Sequence, residues 1–100
     1  MFVWLNSQAV RSDLGFEVES MGRFTEEYRE GHRRVTVEVE RGFAPGGAPC
    51  VIIEPTAFVR WDDDPADRHL PSERQAQMLT NFEQAMAFQG VSVVVERRFA

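Results

Sequence analysis

The sequence has little that could tie the chain together covalently. It contains one cysteine in 100 residues, Cys50, so no intramolecular disulfide can form. The fold must be held by its hydrophobic core, which suits a reducing compartment. Hydrophobic residues make up 43% of the chain and are spread along its whole length. We expect one domain over residues 1–100, because half of this length would be too short to bury a core of its own.

Long apolar runs are also missing. No stretch approaches the roughly 18 consecutive apolar residues of a membrane helix. The run at residues 2–5 is too short for a secretion signal, and no basic residue precedes it. We therefore expect a cytoplasmic protein.

Positive charge is scarce relative to negative charge. The chain has 16 Asp and Glu against 11 Lys and Arg, a formal net charge of -5. A negative field repels phosphate backbones, so direct binding to nucleic acid is disfavoured. The same field attracts the basic surfaces of other proteins, although net acidity also serves solubility alone.

Patterns that would name a reaction or a metal ion are absent from the sequence. His32 and His69 belong to no spaced His/Cys cluster, so a zinc site lacks ligands. Cys50 begins an apolar run, where a thiol behaves as a small hydrophobic side chain. There is no Gly-flanked serine elbow and no phosphate-binding loop. We therefore expect a protein that is not an enzyme and that holds no cofactor or metal.

Alternation of apolar and polar residues extends from residue 16 to residue 40, with a turn at residues 30–32. A period of two is typical of half-buried strands. The pattern predicts a β-hairpin in which Gly31 takes a positive φ. The residues that carry the alternation are Phe16, Val18, Phe24, Glu26, Tyr28, Val35, Val37 and Val39.

The middle of the chain combines a loop with two shorter strand signals. Residues 42–49 contain three of the seven glycines and two of the five prolines, which predicts a loop. The apolar run at residues 50–53, bounded by prolines, predicts a buried strand. Residues 57–61 predict another short strand, because they are rich in aromatic and β-branched side chains.

A long helix and a last strand are predicted beyond residue 71. Ser72 has the side chain of a good N-cap, and Gln75 completes the spacing of a capping box. Gly90 is placed to end the helix, and residues 91–96 predict a valine-rich strand. The expected fold is α+β, a mixed or antiparallel sheet of about five or six strands with one long helix packed on one face. The apolar stripe of the helix comprises Met78, Leu79, Phe82, Ala85 and Met86.

The most concentrated charge lies between the last two predicted strands, in an aspartate loop over residues 62–67. Its spacing does not fit a calcium loop of the EF-hand type, which needs alternating ligands and a glycine at the sixth position. A solvated loop that leads into the helix and an acidic contact with a partner are both open interpretations. The four carboxylates belong to Asp62, Asp63, Asp64 and Asp67.

The segment from Cys50 to Glu96 resembles a known family. It reads VIIEPTAFVRWDDDP and then LPSERQAQMLTNFEQAMAFQGVSVVVE: an apolar strand, Trp-Asp, a polar loop, a Ser-led helix, a glycine and a valine-rich strand. The preceding hairpin, EEYREGHRRVTVEVE, fits the same order, and residues 1–15 take no part in it. This order resembles the small immunity proteins of bacterial polymorphic toxin systems, in which a short cytoplasmic α/β protein binds and neutralises one cognate toxin domain.

The resemblance implies a steric inhibitor that covers the active site or substrate groove of a toxin protein. Net acidity would suit a basic toxin such as a nuclease. Under this hypothesis Trp61 is the anchor of the interface. Core packing at the end of a strand is the competing interpretation of Trp61. The charged rim of the interface would be Asp62, Asp63, Asp64 and Asp67.

Two other classes of function stay open. A small-molecule-binding or regulatory domain would hold its ligand on the sheet face opposite the helix, and a deep apolar pocket with convergent polar groups would favour it. An enzyme that uses His69 with a carboxylate would need both groups in one cleft.

Overall fold

A computed structural model describes residues 1–97. Within this range the predicted α+β class with one long helix is confirmed. The strands number eight and form two sheets, where the sequence predicted one sheet of five or six. In chain order the elements are β1 (Phe2–Asn6), β2 (Ala9–Ser12), β3 (Glu17–Gly22), β4 (Thr25–Glu30), β5 (Arg33–Glu38), β6 (Glu40–Phe43), β7 (Pro49–Ile53), α1 (Ser72–Phe88) and β8 (Ser92–Val95).

The first sheet is an antiparallel meander of five strands in the order β1-β2-β3-β4-β5. The predicted hairpin is its β4–β5 unit, and Gly31 in the turn has a φ of +62°. Residues 1–15, for which the sequence indicated no strand, supply β1 and β2. Alternation along the strands sends one set of side chains into the core. That buried set includes Val10, Val18, Tyr28, Val35 and Val37.

The second sheet has three strands in the order β6-β7-β8. β6 pairs antiparallel with β7, whereas β7 and β8 run parallel, with α1 as the crossover between them. Parallel neighbours need such a crossover. The strand predicted after the helix is confirmed as β8. α1 contacts β2 and β3 of the first sheet and β8 of the second, and its buried side chains belong to the single core cluster of the described residues.

The helix buries the stripe that its sequence predicted. Met78, Phe82, Ala85 and Met86 are buried, and Gly90 follows the last turn with a φ of +81°. The predicted capping box is wrong. The N-cap is Pro71 with no side-chain cap, and its carbonyl accepts the first helical hydrogen bond, from the backbone N–H of Gln75 at 3.0 Å. The Gln75 side chain instead donates to the carbonyl of Leu70 at 2.8 Å.

Two segments differ from the sequence prediction. Residues 57–61 form turns instead of a strand, because the backbone N–H groups of Ala57 and Val59 bond to carbonyls three residues earlier. The loop predicted at residues 42–49 is shorter than expected, since Gly42 and Phe43 pair in β6 and β7 begins at Pro49. No helix within residues 1–97 is long and apolar enough to cross a membrane.

An ion pair between an exposed arginine and a buried glutamate joins the two sheets. Arg41 of β6 donates to a carboxylate oxygen of Glu26 at 2.6 Å and to the carbonyl of Arg23 at 2.8 Å. Glu26 is only 1% exposed, and it also accepts a hydrogen bond from the hydroxyl of Ser20 at 2.8 Å. The polar residue at position 26 of the predicted alternation therefore points inward with Tyr28. One carboxylate oxygen is paired with a guanidinium from the other sheet, whereas the buried Oε1 has no hydrogen-bond partner among the described residues.

Candidate binding site

Trp61, the proposed anchor, lies in the core. Its side chain is 5% exposed and its ring stacks on Tyr28 with centroids 6.5 Å apart. The guanidinium groups of Arg33 and Arg74 lie 5.8 and 5.9 Å from the ring centroid. Such contacts are favourable between a cation and an aromatic ring. Trp61 therefore holds the start of the aspartate loop against the first sheet and offers little surface to a partner.

Asp62 covers the edge of β5. One carboxylate oxygen accepts hydrogen bonds from the backbone N–H of Thr36 at 2.8 Å and from its hydroxyl at 2.5 Å. The backbone N–H of Asp62 donates to the carbonyl of Arg34 at 2.9 Å. These bonds take the place of a neighbouring strand at the centre of β5. We call this side of the first sheet the closed edge.

The other aspartates of the loop differ in how they are used. Asp64 accepts hydrogen bonds from the backbone N–H of Ala66 at 2.9 Å and from Arg68 at 3.4 Å. The Ala66 bond, more than the charge of Arg68, holds the pKa of Asp64 below its ordinary value. Asp67 pairs with Arg60 at 2.9 Å.

Asp63 is the exposed aspartate of the loop that has no ion pair or side-chain hydrogen bond with the described residues. Most carboxylates of the loop are therefore hydrogen-bonded or ion-paired, and Asp63 is the one most available to a partner. The structure brings Asp62 to the closed edge of the sheet, keeps Trp61 inside, and leaves Asp63 facing outward.

A cleft of about 490 Å³ runs beside the closed edge. Its charged lining comprises Glu38 of β5, Glu54 after β7, Asp62 and Arg60, so carboxylates outnumber cations. We call it the acidic cleft. The sequence pattern does not single out Glu38 or Glu54, because a carboxylate beside a strand is too common to be a signal. Only the pairing of β6 with β7 brings Glu54 back to β5. The other lining residues are Val35, Thr36, Thr56, Ala57 and Val59.

A second cleft, of about 390 Å³, opens between α1 and the start of β3. Arg74 donates to the carboxylate of Glu30 and, at 2.9 Å, to Gln77. We call this second cleft the polar cleft. Its lining residues are Leu14, Phe16, Glu30, Arg74, Gln77 and Asn81.

Tyr28 forms hydrogen bonds with two residues that line the polar cleft. Its hydroxyl donates to Glu30 and accepts a hydrogen bond from Asn81 at 3.0 Å. Burial raises the pKa of Tyr28, and the carboxylate of Glu30 adds to this effect. The hydroxyl therefore stays protonated as a donor, which fixes the position of Glu30.

The sheet face opposite the helix is occupied by ion pairs. Arg29 donates to the carboxylates of Glu17 at 3.0 Å, Glu19 at 2.8 Å and Glu27 at 2.7 Å. Burial opposes the charge of Arg29, but the three carboxylates outweigh it and raise its pKa. A ligand on this face was one expectation from the sequence. The polar cleft lies on the helix side of the sheet instead.

The residues considered for catalysis lie apart. His32 and His69 are exposed, and neither lines the acidic or the polar cleft. Cys50 is buried in β7. Within residues 1–97 no three His, Cys, Asp or Glu side chains converge as a metal site would require.

No protein-family model, curated protein or solved structure matches the chain.

Proposed function

We propose that this chain is a protein-binding domain that neutralises a cognate toxin domain by covering its active site. The order of elements from Cys50 to Glu96 supports the proposal through its resemblance to immunity proteins. The surface that we assign to the toxin is the acidic cleft, together with Asp63 on the adjoining loop.

The observation that carries this proposal is the charge of the acidic cleft. Its charged lining residues are Glu38, Glu54 and Asp62, which carry carboxylates, and Arg60, which carries a guanidinium. A concave surface lined mostly by charges of one sign focuses its field and attracts partners of the opposite sign. The complementary partner is a protein whose active-site rim is rich in Lys and Arg, and charge attraction speeds the encounter of the two surfaces.

The closed edge makes this surface rigid. Asp62 is fixed by Thr36 and Arg34, and Trp61 anchors the loop from inside. A preorganised surface loses little entropy on binding, so a small acidic patch can inhibit efficiently. In this proposal Trp61 positions the loop instead of touching the toxin, and Asp63 takes over as the exposed contact.

Growth rescue tests the proposal directly. Bacteria that express the toxin domain encoded beside the gene of this chain should grow only when the chain is co-expressed. The purified proteins should also form a complex whose association slows as salt rises. A toxin that kills regardless of this chain, with no complex between the purified proteins, would contradict the proposed function.

A charge-neutral variant tests the assigned surface. The double variant Glu38→Gln, Glu54→Gln should weaken the complex on the order of tenfold, about 1.4 kcal/mol, mainly by slowing association. The matched control is Glu83→Gln, an exposed carboxylate on α1 outside the acidic cleft. Asp63→Asn should have a smaller effect of the same sign. Equal affinity of the double variant and the control would remove the acidic cleft from the interface.

The polar cleft favours a second candidate function, the binding of a small molecule. Glu30, Arg74, Gln77 and Asn81 converge on it with both donors and acceptors, as ligand sites require. Ligand-observed NMR with a library of small polar molecules would test it. Hits that bind the wild type but not Asn81→Ala would support this function, and an empty screen would argue against it.

A further inference from the structure

The first sheet is open on the side of β1. The backbone N–H of Asp13 donates to the carbonyl of Met1 at 3.1 Å, and Val3 lies opposite Arg11 in the ladder. Hydrogen-bonded pairs alternate along antiparallel strands, so the backbone groups of Val3 point to β2. Those of Phe2 and Trp4 point away from the sheet. Within residues 1–97 no strand pairs with this side of β1, and we call it the open edge.

Apolar side chains surround the open edge. The sequence of β1 is FVWLN, without charge, glycine or proline. On the inner face the rings of Phe2 and Trp4 lie 5.5 and 5.8 Å from the ring of Phe88 at the end of α1. On the outer face Val3 is exposed. Five of the exposed large apolar side chains gather here, namely Met1, Val3, Trp4, Leu5 and Phe88.

Edge strands of monomeric proteins are normally protected by charges, prolines, bulges or a covering loop. The closed edge has such protection, with Arg33 and Arg34 on β5 and Asp62 across it. β1 has only the irregularity between Trp4 and Asn6. An unpaired apolar strand of this kind is a template for another strand.

We propose that β1 pairs antiparallel with β1 of a second copy of this chain, about a two-fold axis. The two meanders then form one continuous sheet of ten strands. Because β1 carries no charged side chain, self-pairing brings no like charges into contact on the strand. An isologous contact of one patch with itself closes after two copies, which is the commonest symmetry of soluble oligomers.

The chemistry of the open edge favours a second copy over the toxin. A basic partner finds no carboxylate on β1, whereas it finds several in the acidic cleft beside β5, at the other side of the sheet. The dimer would leave both acidic clefts accessible at the far ends of the joined sheet. The inference is therefore independent of the proposed toxin binding.

The size of the patch sets the strength of the dimer. A covered aromatic side chain buries about 150–250 Å², so the half-exposed Trp4 and Phe88 offer on the order of 200 Å² together. Stable complexes bury about 800 Å² per partner. The strand hydrogen bonds and the apolar residues of the outer face add to the aromatic contact. The total buried area stays well below about 800 Å² per partner. We therefore expect a concentration-dependent dimer.

Sedimentation of the purified chain over a wide concentration range tests the proposal. The wild type should shift from monomer to dimer as its concentration rises. Val3→Lys and Val3→Glu should each weaken the dimer at least tenfold, since the two-fold axis sets like charges near each other. An equimolar mixture of the two variants should recover the dimer, because opposite charges then face each other.

Two controls keep the test decisive. Met21 is as exposed as Val3, at 53%, but it belongs to the interior strand β3, so Met21→Lys should leave the dimer unchanged. Leu5→Lys serves if Val3→Lys does not fold, as judged by circular dichroism. A wild type that stays monomeric at every concentration would overturn the proposal. So would a dimer that survives folded Val3→Lys and Leu5→Lys.

Discussion

The two edges of the first sheet solve the same physical problem in opposite ways. At β5 the carboxylate of Asp62 accepts a hydrogen bond from the backbone N–H of Thr36. The backbone N–H of Asp62 donates to the carbonyl of Arg34. At β1 the outward backbone groups of Phe2 and Trp4 have no strand beside them in the described chain. Asp62, which is far from β5 in sequence, closes the β5 edge. The β1 edge stays apolar and available for pairing with another strand.

This difference separates two kinds of surface. The closed edge adjoins charged groups held in fixed positions, which suits selective contact with a charged partner. The open edge presents uncharged backbone and apolar side chains, which suits pairing with an identical strand. The two tryptophans of the chain mark the contrast, since Trp61 is 5% exposed behind the closed edge and Trp4 is 50% exposed on the open edge.

Replacing each tryptophan in turn should give the largest contrast. Trp61→Ala leaves a cavity between Tyr28 and the guanidinium groups of Arg33 and Arg74, and should lower the free energy of unfolding by about 3–5 kcal/mol. Trp4→Ala removes mainly the contact with Phe88 and should lower it by about 1 kcal/mol. Urea unfolding of dilute protein, followed by circular dichroism, measures both. Equal losses would show that Trp61 is not a core residue.

Opening the closed edge should have an intermediate effect. Asp62→Ala removes two hydrogen bonds to Thr36 and should lower the free energy of unfolding by about 1 kcal/mol, since the site is exposed to water. Asp63→Ala is the matched control and should change it by less than about 0.5 kcal/mol. The same urea experiment applies. If both variants were equally stable, Asp62 would not be closing the edge.

Acid should release the hydrogen bond that Asp64 accepts from the Ala66 N–H within the aspartate loop. The pKa of Asp64 is lowered by the bond from the Ala66 N–H, so its contribution is complete above the ordinary value of 3.8 and is lost as the pH falls through the lowered value. The effect on stability should be small. An NMR titration should show the Ala66 amide shifting below pH 3.8, and Asp64→Asn should abolish that transition. A transition centred above 3.8 would contradict the assigned hydrogen bond.

The sequence predicted the elements whose patterns are local. The β4–β5 hairpin, the buried strand at residues 50–53, the stripe of α1 and the role of Gly90 follow from periods of two and 3.6 residues and from turn chemistry. The capping box failed because Pro71 already has the extended conformation of an N-cap. The strand at residues 57–61 failed because consecutive turns override the propensity of its aromatic residues.

The candidate site was less accessible to sequence reasoning. The aspartate loop was recognised as a concentration of charge, yet its bonds to Thr36 and Arg34 cross more than twenty residues of chain. Glu38 and Glu54 meet in one cleft through tertiary packing alone. β1 and β2 have too little alternation to be recognised, so the open edge emerged from the structure. The assignment of toxin contacts to the aspartates stays a prediction.

Amide hydrogen exchange tests the contrast between the edges most directly. At a dilution where the chain is monomeric, the Thr36 amide should be strongly protected by Asp62, whereas the Trp4 amide should exchange nearly as fast as in an unfolded peptide. At high concentration the Trp4 amide should become protected as β1 pairs with its copy. Strong protection of Trp4 in the dilute monomer, or free exchange of Thr36, would contradict the account.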